Sequence, residues 1–294
     1  MDSMKKHLVV GLGEALWDVF PEGKKMGGAP ANFVYHVSQF GLPGVAVSAL
    51  GRDALGDELM GCFERVNLPV EMPRVEFPTG VVQVTLDAAG VPSYEIRTGS
   101  AWDNIPLTPE IKAIARRATV VCFGSLAQRS PVSRATIGHF LDLMPEGSLK
   151  VFDINLRQTF FSKEVIEASL EKSSILKIND EELVIVSKMF GCDGASREDV
   201  CRWLMERYRL QMVILTCGTD GSVVFSAEGV SEMDTPRVEV ADTVGAGDSF
   251  TGAFVAALLL GKTVRQAHEL AVKVSAYVCT CAGAMPELPR SITQ

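Results

Sequence analysis

The run Asp242-Thr243-Val244-Gly245-Ala246-Gly247-Asp248 leads into small and apolar residues that read as a helix from Gly245 to Leu260. Glycine on either side of Ala246 lets a ligand come close to the backbone. Free amides at a helix start bind an anion, and the helix dipole adds to their pull. Asp248 falls in the first turn, beside the amides of Gly245, Ala246 and Gly247. A carboxylate there can accept the proton of an alcohol as its oxygen attacks phosphorus, while the amides hold charge on the group in transfer. A simple acidic helix cap is the plainer reading of Asp248 alone. It accounts for neither the paired glycines nor the second acid at Asp242.

Other patterns carry less. Gly11-Leu12-Gly13 follows an apolar run, as a dinucleotide-binding turn would, but the third glycine of that pattern would fall on Leu16. Gly261-Lys262-Thr263 ends like a phosphate-binding loop, yet its leading glycine would fall on Ala256 and no strand precedes it. The seven cysteines form no C-x-x-C pair and the four histidines lack metal-ligand spacing, so buried thiols are expected and no histidine is given a metal role. Taken alone, Asn179 to Glu182 reads as a helix cap with its capping-box partner, Thr216-Cys217-Gly218 as a strand end, and Asp18 as an exposed acid.

These residues need elements to position them. The chain has 294 residues, 47% of them apolar, which allows one large domain or two modest ones. His7 to Gly13 reads as a buried strand, Ala31 to Phe40 as a helix ending at Gly41, Val45 to Leu50 as a strand and Asp57 to Val66 as a helix. From Thr119 onward, strands at 120–123, 151–154, 175–178 and 212–216 alternate with helices at 132–144, 163–170, 181–189 and 197–208. A short hairpin at 221–225 and 230–233 and a last helix from Val264 to Cys281 complete the series. Such alternation implies a mostly parallel sheet covered on both faces. Val81 to Leu86 and Ser93 to Ile96, joined by a turn over Asp87 to Pro92, read instead as a hairpin in a small antiparallel sheet. With no linker or repeat visible, one domain over 1–294 is expected, with a small β lid formed from segments near 14–26 and 78–102.

Two signatures in this order resemble the ribokinase-like (PfkB) sugar kinases over essentially the whole chain. Asp242 to Asp248 matches that family's D-T-x-G-A-G-D. Gly27-Gly28-Ala29-Pro30-Ala31-Asn32, followed by Gly51-Arg52-Asp53-Ala54-Leu55-Gly56, resembles its G-G-x-x-x-N and G-x-D-x-x-G. The resemblance implies an α/β fold, a three-layer αβα sandwich with a mostly parallel central sheet and an antiparallel β lid. It implies ATP and Mg²⁺ as cofactors, with K⁺ beside the phosphates. By the same resemblance Asp248 is the general base, and Gly245, Ala246 and Gly247 form the cradle for the γ-phosphoryl. Asp18, Gly28 and Asn32 hold the sugar. Asn179 and Glu182 match N-x-x-E, which organises Mg²⁺ and phosphate through water, and Thr216, Gly218 and Gly221 form the nucleotide turn. Asp242 and Thr243 belong to a monovalent-cation site, to which Ala282-Gly283-Ala284 adds carbonyls.

Gly13 to Pro21, the Ala29-Pro30 pair, Gly124 to Arg129 and Asp153 to Arg157 most resemble fructokinases. Gln128 is a candidate sugar contact, Arg157 can hold a phosphate oxygen or an acidic group, and Trp17 and Phe20 either line the sugar pocket or pack the lid. Fructose is thus the expected acceptor. The alternatives are 2-keto-3-deoxygluconate, ribose or a nucleoside, and a sugar-sensing protein of the same fold without catalysis. A net charge of -8 argues against a nucleic-acid partner, no apolar stretch is long enough to cross a membrane, and a cytoplasmic homodimer is expected.

Overall fold

The computed structural model describes residues 7–21, 23–86 and 92–293. Its centre is a nine-stranded sheet. In spatial order the strands are Gly229–Met233, Ser222–Ser226, Met212–Thr216, Ile175–Asn179, Leu149–Asp153, Val120–Phe123, Val9–Leu12, Gly44–Val47 and Val70–Glu71. All pairings from Met212–Thr216 to Val70–Glu71 are parallel, and the hairpin at the other edge is antiparallel. Successive strand residues alternate between faces. Val10, Val121, Phe152 and Leu176 join one buried core. Val9, Val120, Val151 and Ile175 join the other, against Phe33 and Val34 of the helix Ala29–Ser38 and Phe254 of the helix Ala246–Leu259. These are the three layers expected.

The chain order reverses at Val9–Leu12, which lies between Gly44–Val47 and the much later Val120–Phe123. A crevice opens at the C-terminal ends of strands at such a switch point. The segments leaving these ends carry Glu14, Gly124 and Asp153.

A second sheet of four strands, Gly23–Gly27, Leu16–Phe20, Gly80–Leu86 and Pro92–Ile96, forms the lid. Its two hairpin pairings are antiparallel, and the central one, Leu16–Phe20 with Gly80–Leu86, is parallel. Most of the turn expected between Leu86 and Pro92 lies outside the described residues. Trp17 is buried in the lid base, where its Nε1 donates to the Leu55 carbonyl at 3.0 Å, so it packs the lid onto the helix Ala54–Arg65. Phe20 packs against a core and lies under the Lys25 ammonium.

Several boundaries differ from the sequence reading for local reasons. The helix expected from Asp57 begins at Ala54, because the Asp53 carboxylate accepts the Gly56 amide as an N-cap. The helix Pro109–Ala115 had no strong periodic signal and is set by its Thr108 cap and Pro109. The strand expected to run to Leu50 ends at Val47, and Leu50–Gly51 pairs instead with Arg74–Val75. Among the described residues no helix is long and apolar enough to cross a membrane.

Candidate active site

Asp248 is the third residue of the helix Ala246–Leu259, whose N-cap is Gly245. Gly245 has φ 78°, and a Cβ there would lie 2.6 Å from that of Ala284. Only glycine allows the loop to turn this tightly against the 282–284 segment. That segment is pinned in turn: His36 Nε2 bonds the Ala284 carbonyl at 2.8 Å, and Gln39 Oε1 accepts the Leu288 amide at 2.6 Å. Burial pushes the His36 imidazole down to about 4, so it is neutral here.

Asn32, on the helix Ala29–Ser38, donates from Nδ2 to Asp248 Oδ2 at 2.7 Å. This bond joins the two signatures across 216 residues of chain. Burial and the Asp153 carboxylate raise Asp248 to about 7, against the pull of Asn32, Lys177 and Arg157. A carboxyl titrating near neutrality suits proton exchange with a bound alcohol. Gly28 is the N-cap of the Asn32 helix. Glu14, wholly buried, lies close by: burial raises its carboxyl, and the Ala29 amide, Arg157 and its own backbone oppose the rise.

A small cavity lined by Glu14, Phe123, Gly124, Asp153, Asn155 and Asp248 sits at the strand ends. Asp18 faces the site from the lid. Its carboxyl is raised to about 6 by burial, with Asp242 adding, while Arg157 and Lys25 oppose the shift. Asp18, Arg157, Asp242 and Asp248 are therefore drawn into one electrostatic neighbourhood by segments far apart in sequence.

Asp242 holds its own loop. Oδ1 accepts the Val244 amide at 3.0 Å, Oδ2 accepts the Gly283 amide at 3.1 Å, and Lys25 of the lid pairs with Oδ2 at 3.2 Å. Burial works against its charge, but these donors hold its carboxyl below the usual range. Thr243 follows it in the exposed part of the loop.

Asn179 and Glu182 form a full capping box at the start of the helix Asp180–Phe190. Glu182 Oε2 accepts the Asn179 amide at 2.9 Å, and its Oε1 accepts the Leu156 amide at 2.8 Å. Thr216 ends its strand, and Gly218 and Gly221 bound a short turn that Thr235 Oγ1 fastens by donating to the Gly218 carbonyl. Gln128 is turned inward: its Nε2 donates to the Gly124 carbonyl and to Ser169 Oγ, both at 2.9 Å. The neighbouring Arg129 forks onto Asp103 at 2.8 and 2.9 Å between the rings of Trp102 and Phe160. Gly124 thus lines the cavity, while Gln128 and Arg129 brace the strand end rather than reaching into it.

The sequence reading passed over two groups at the centre. Lys177, inside the strand Ile175–Asn179, pairs with Asp153 Oδ1 at 3.1 Å. Asp153 Oδ2 accepts Thr251 Oγ1, one turn after Asp248, at 3.0 Å. A lysine flanked by Ile175, Leu176 and Ile178 in a parallel strand was the available signal, since such strands are buried on both faces. Among the described residues no group of three or more His, Cys, Asp and Glu could hold a metal directly.

The family model for pfkB family carbohydrate kinases matches residues 13–290. An ATP-dependent 6-phosphofructokinase of Thermoanaerobacterium thermosaccharolyticum is 28% identical over 97% of this chain and 92% of its own. A probable fructokinase-4 of Arabidopsis thaliana is 27% identical over 97% and 94%. The fructokinase of Xylella fastidiosa, solved with bound ATP, superposes with a TM-score of 0.84 over 98% of this chain and 97% of that one, at 22% identity.

Proposed function

Because the chain belongs to the pfkB family of carbohydrate kinases, and is a phosphotransferase with an alcohol group as acceptor, we propose that it phosphorylates D-fructose to fructose 6-phosphate with ATP. The observation that carries this is the Asn32–Asp248 bond, which sets a neutral hydroxyl-binding amide against a carboxyl near its titration point. Asp248 takes the proton of the primary hydroxyl as its oxygen attacks the γ-phosphorus. The amides after Gly245 point at the transferring group, the lid bearing Asp18 orients the sugar and excludes water, and Gly28 at the start of the Asn32 helix lets the sugar lie against the backbone. Thr216, Gly218 and Gly221 shape the turn that receives the nucleotide.

Mg²⁺ neutralises phosphate charge in such transfers. Each oxygen of Glu182 already takes one backbone amide and keeps lone-pair capacity for a metal-bound water, so Asn179 and Glu182 fit an ion held through its hydration shell. A monovalent ion fits less well. Asp242 Oδ2 already receives Lys25 and Gly283, and the Ala284 carbonyl receives His36, so no step is assigned to K⁺.

The second reading, an acceptor that carries its own phosphate, follows from the 6-phosphofructokinase relative. The two lysines of the lid strand weigh against it: Lys24 is paired with Glu58 and Lys25 with Asp242. The open edges of the lid sheet, Gly23–Gly27 and Pro92–Ile96, support pairing of two copies into a homodimer. An ADP-release assay over fructose, fructose 6-phosphate, 2-keto-3-deoxygluconate, ribose and a nucleoside tests the substrate. Fructose is expected to give the highest kcat/KM. A higher value for another acceptor moves the assignment to it, and binding of sugar without any ADP release would make the protein a sensor.

A further inference from the structure

The ammonium of Lys177 stands where the second glycine of the cradle needs room. A Cβ added to Gly247 would lie 3.0 Å from Lys177 Nζ, so the cation lies directly against the first turn of the helix that carries Asp248. Its side chain is 10% exposed. The Lys177–Asp153 pair joins register neighbours on adjacent strands, and Asp153 is tied through Thr251 to the same helix. Burial alone would push the ammonium's pKa down, but Asp153, Glu182 and Asp248 together hold it above the ordinary lysine value.

A buried cation is costly, and one counterion on a neighbouring strand would suffice if the pair served only the fold. Here the cation is also pressed against an anion-binding helix start, amid three carboxylates that pull on it. We propose that Lys177 is a further catalytic residue, whose ammonium binds a non-bridging oxygen of the γ-phosphoryl group from beneath Gly247. In the step, a bond forms from the acceptor oxygen to the γ-phosphorus, and the bond from that phosphorus to the β–γ bridging oxygen breaks. The hydroxyl proton passes to Asp248, and Lys177 keeps all of its own protons. Gly247 is then glycine because a methyl there would push the ammonium off the phosphoryl group. The inference rests on the kinase reading but not on the identity of the sugar.

The test replaces the pair as a unit, because Lys177→Met alone strands Asp153 in the interior and risks unfolding. The double variant Lys177→Met, Asp153→Asn is expected to keep the wild-type far-ultraviolet circular dichroism. Calorimetry without any sugar then compares ATP with ADP, each with Mg²⁺. The ratio of ATP to ADP affinity should fall by about 10-fold or more relative to wild type, the size of one charge-assisted contact. Turnover should fall about 100-fold or more. An unchanged ratio would assign the lysine to the fold alone. Because no acceptor is present, that outcome is distinct from failure of the fructose assignment. A second cycle uses Gly247→Ala: its loss of kcat should be large in wild type and much smaller in the Lys177→Met, Asp153→Asn background. Equal losses in the two backgrounds would separate Gly247 from Lys177 and overturn the proposal.

Discussion

The charges beneath the cradle and the charges on the lid are held in opposite ways. Lys177 and Asp153 have side chains 10% and 9% exposed, each is fixed on a parallel strand, and Thr251 ties the pair to the helix of Asp248. On the lid, Lys25 is 43% exposed in its pair with Asp242, and Glu58 is 49% exposed in its pair with Lys24. Breaking a buried pair by removing one partner costs several kcal/mol, whereas an exposed pair is worth about 1 kcal/mol or less. The floor therefore keeps its geometry while substrates come and go, and the lid can let go of Asp242 at little cost. On the proposed reading, the groups that meet phosphorus sit on the rigid side and those that admit the sugar sit on the yielding side.

Substitutions on the two sides should separate accordingly. Asp248→Asn is expected to lower kcat by roughly 10³-fold, with sugar affinity by calorimetry within about 3-fold of wild type. Substantial turnover in that variant would remove the base assignment. Asp18→Ala acts on the lid side and should raise the sugar KM by about 10- to 100-fold, with kcat and the ATP KM nearly unchanged, since hydroxyl contacts contribute chiefly to binding. A loss confined to ATP would place Asp18 on the wrong partner.

The pH dependence sharpens the contrast. Asp248 is raised to about 7, so the folded state binds a proton that the unfolded chain has released, and stability falls as pH rises from about 4 to about 7. Asp248→Asn cannot ionise. It should gain on the order of 2 kcal/mol over wild type at pH 8 and little at pH 4, by chemical denaturation. The acid limb of kcat/KM in wild type should bend near pH 7 and reflect the same group. An equal stability difference at both pH values would detach the shift from Asp248. The smallest effect belongs to Lys25→Ala, with a KM rise of about 2- to 5-fold that fades at high salt, as an exposed pair would give. A larger or salt-independent effect would mean the latch is part of the floor.

Much of this was legible because the deciding signals are local. Asp248 at a glycine-flanked helix start, the strand and helix periods after Thr119, and the Asn179–Glu182 capping box all depend on neighbours within a few residues. What sequence did not yield depends on the sheet. Lys177 matters because Leu149–Asp153 lies beside it in register, which no spacing within either strand encodes. Gln128 was placed on the sugar from its neighbourhood in sequence, but Ser169, from a separate helix, captures its amide. Glu14 drew no reading from the sequence, and its burial and its hydrogen bond from the Ala29 amide arise only where the two segments meet.

The segment from 282 to 288 has one more consequence. Ala284 shapes the turn at Gly245, the Gly283 amide holds Asp242, and His36 and Gln39 fasten the rest. During synthesis the central strand Val9–Leu12, with His36 and Gln39 soon after it, leaves the ribosome early, whereas the 282–288 segment emerges after all nine sheet strands. A nascent chain can thus build its central sheet before the turn at Gly245 is braced by the 282–288 segment.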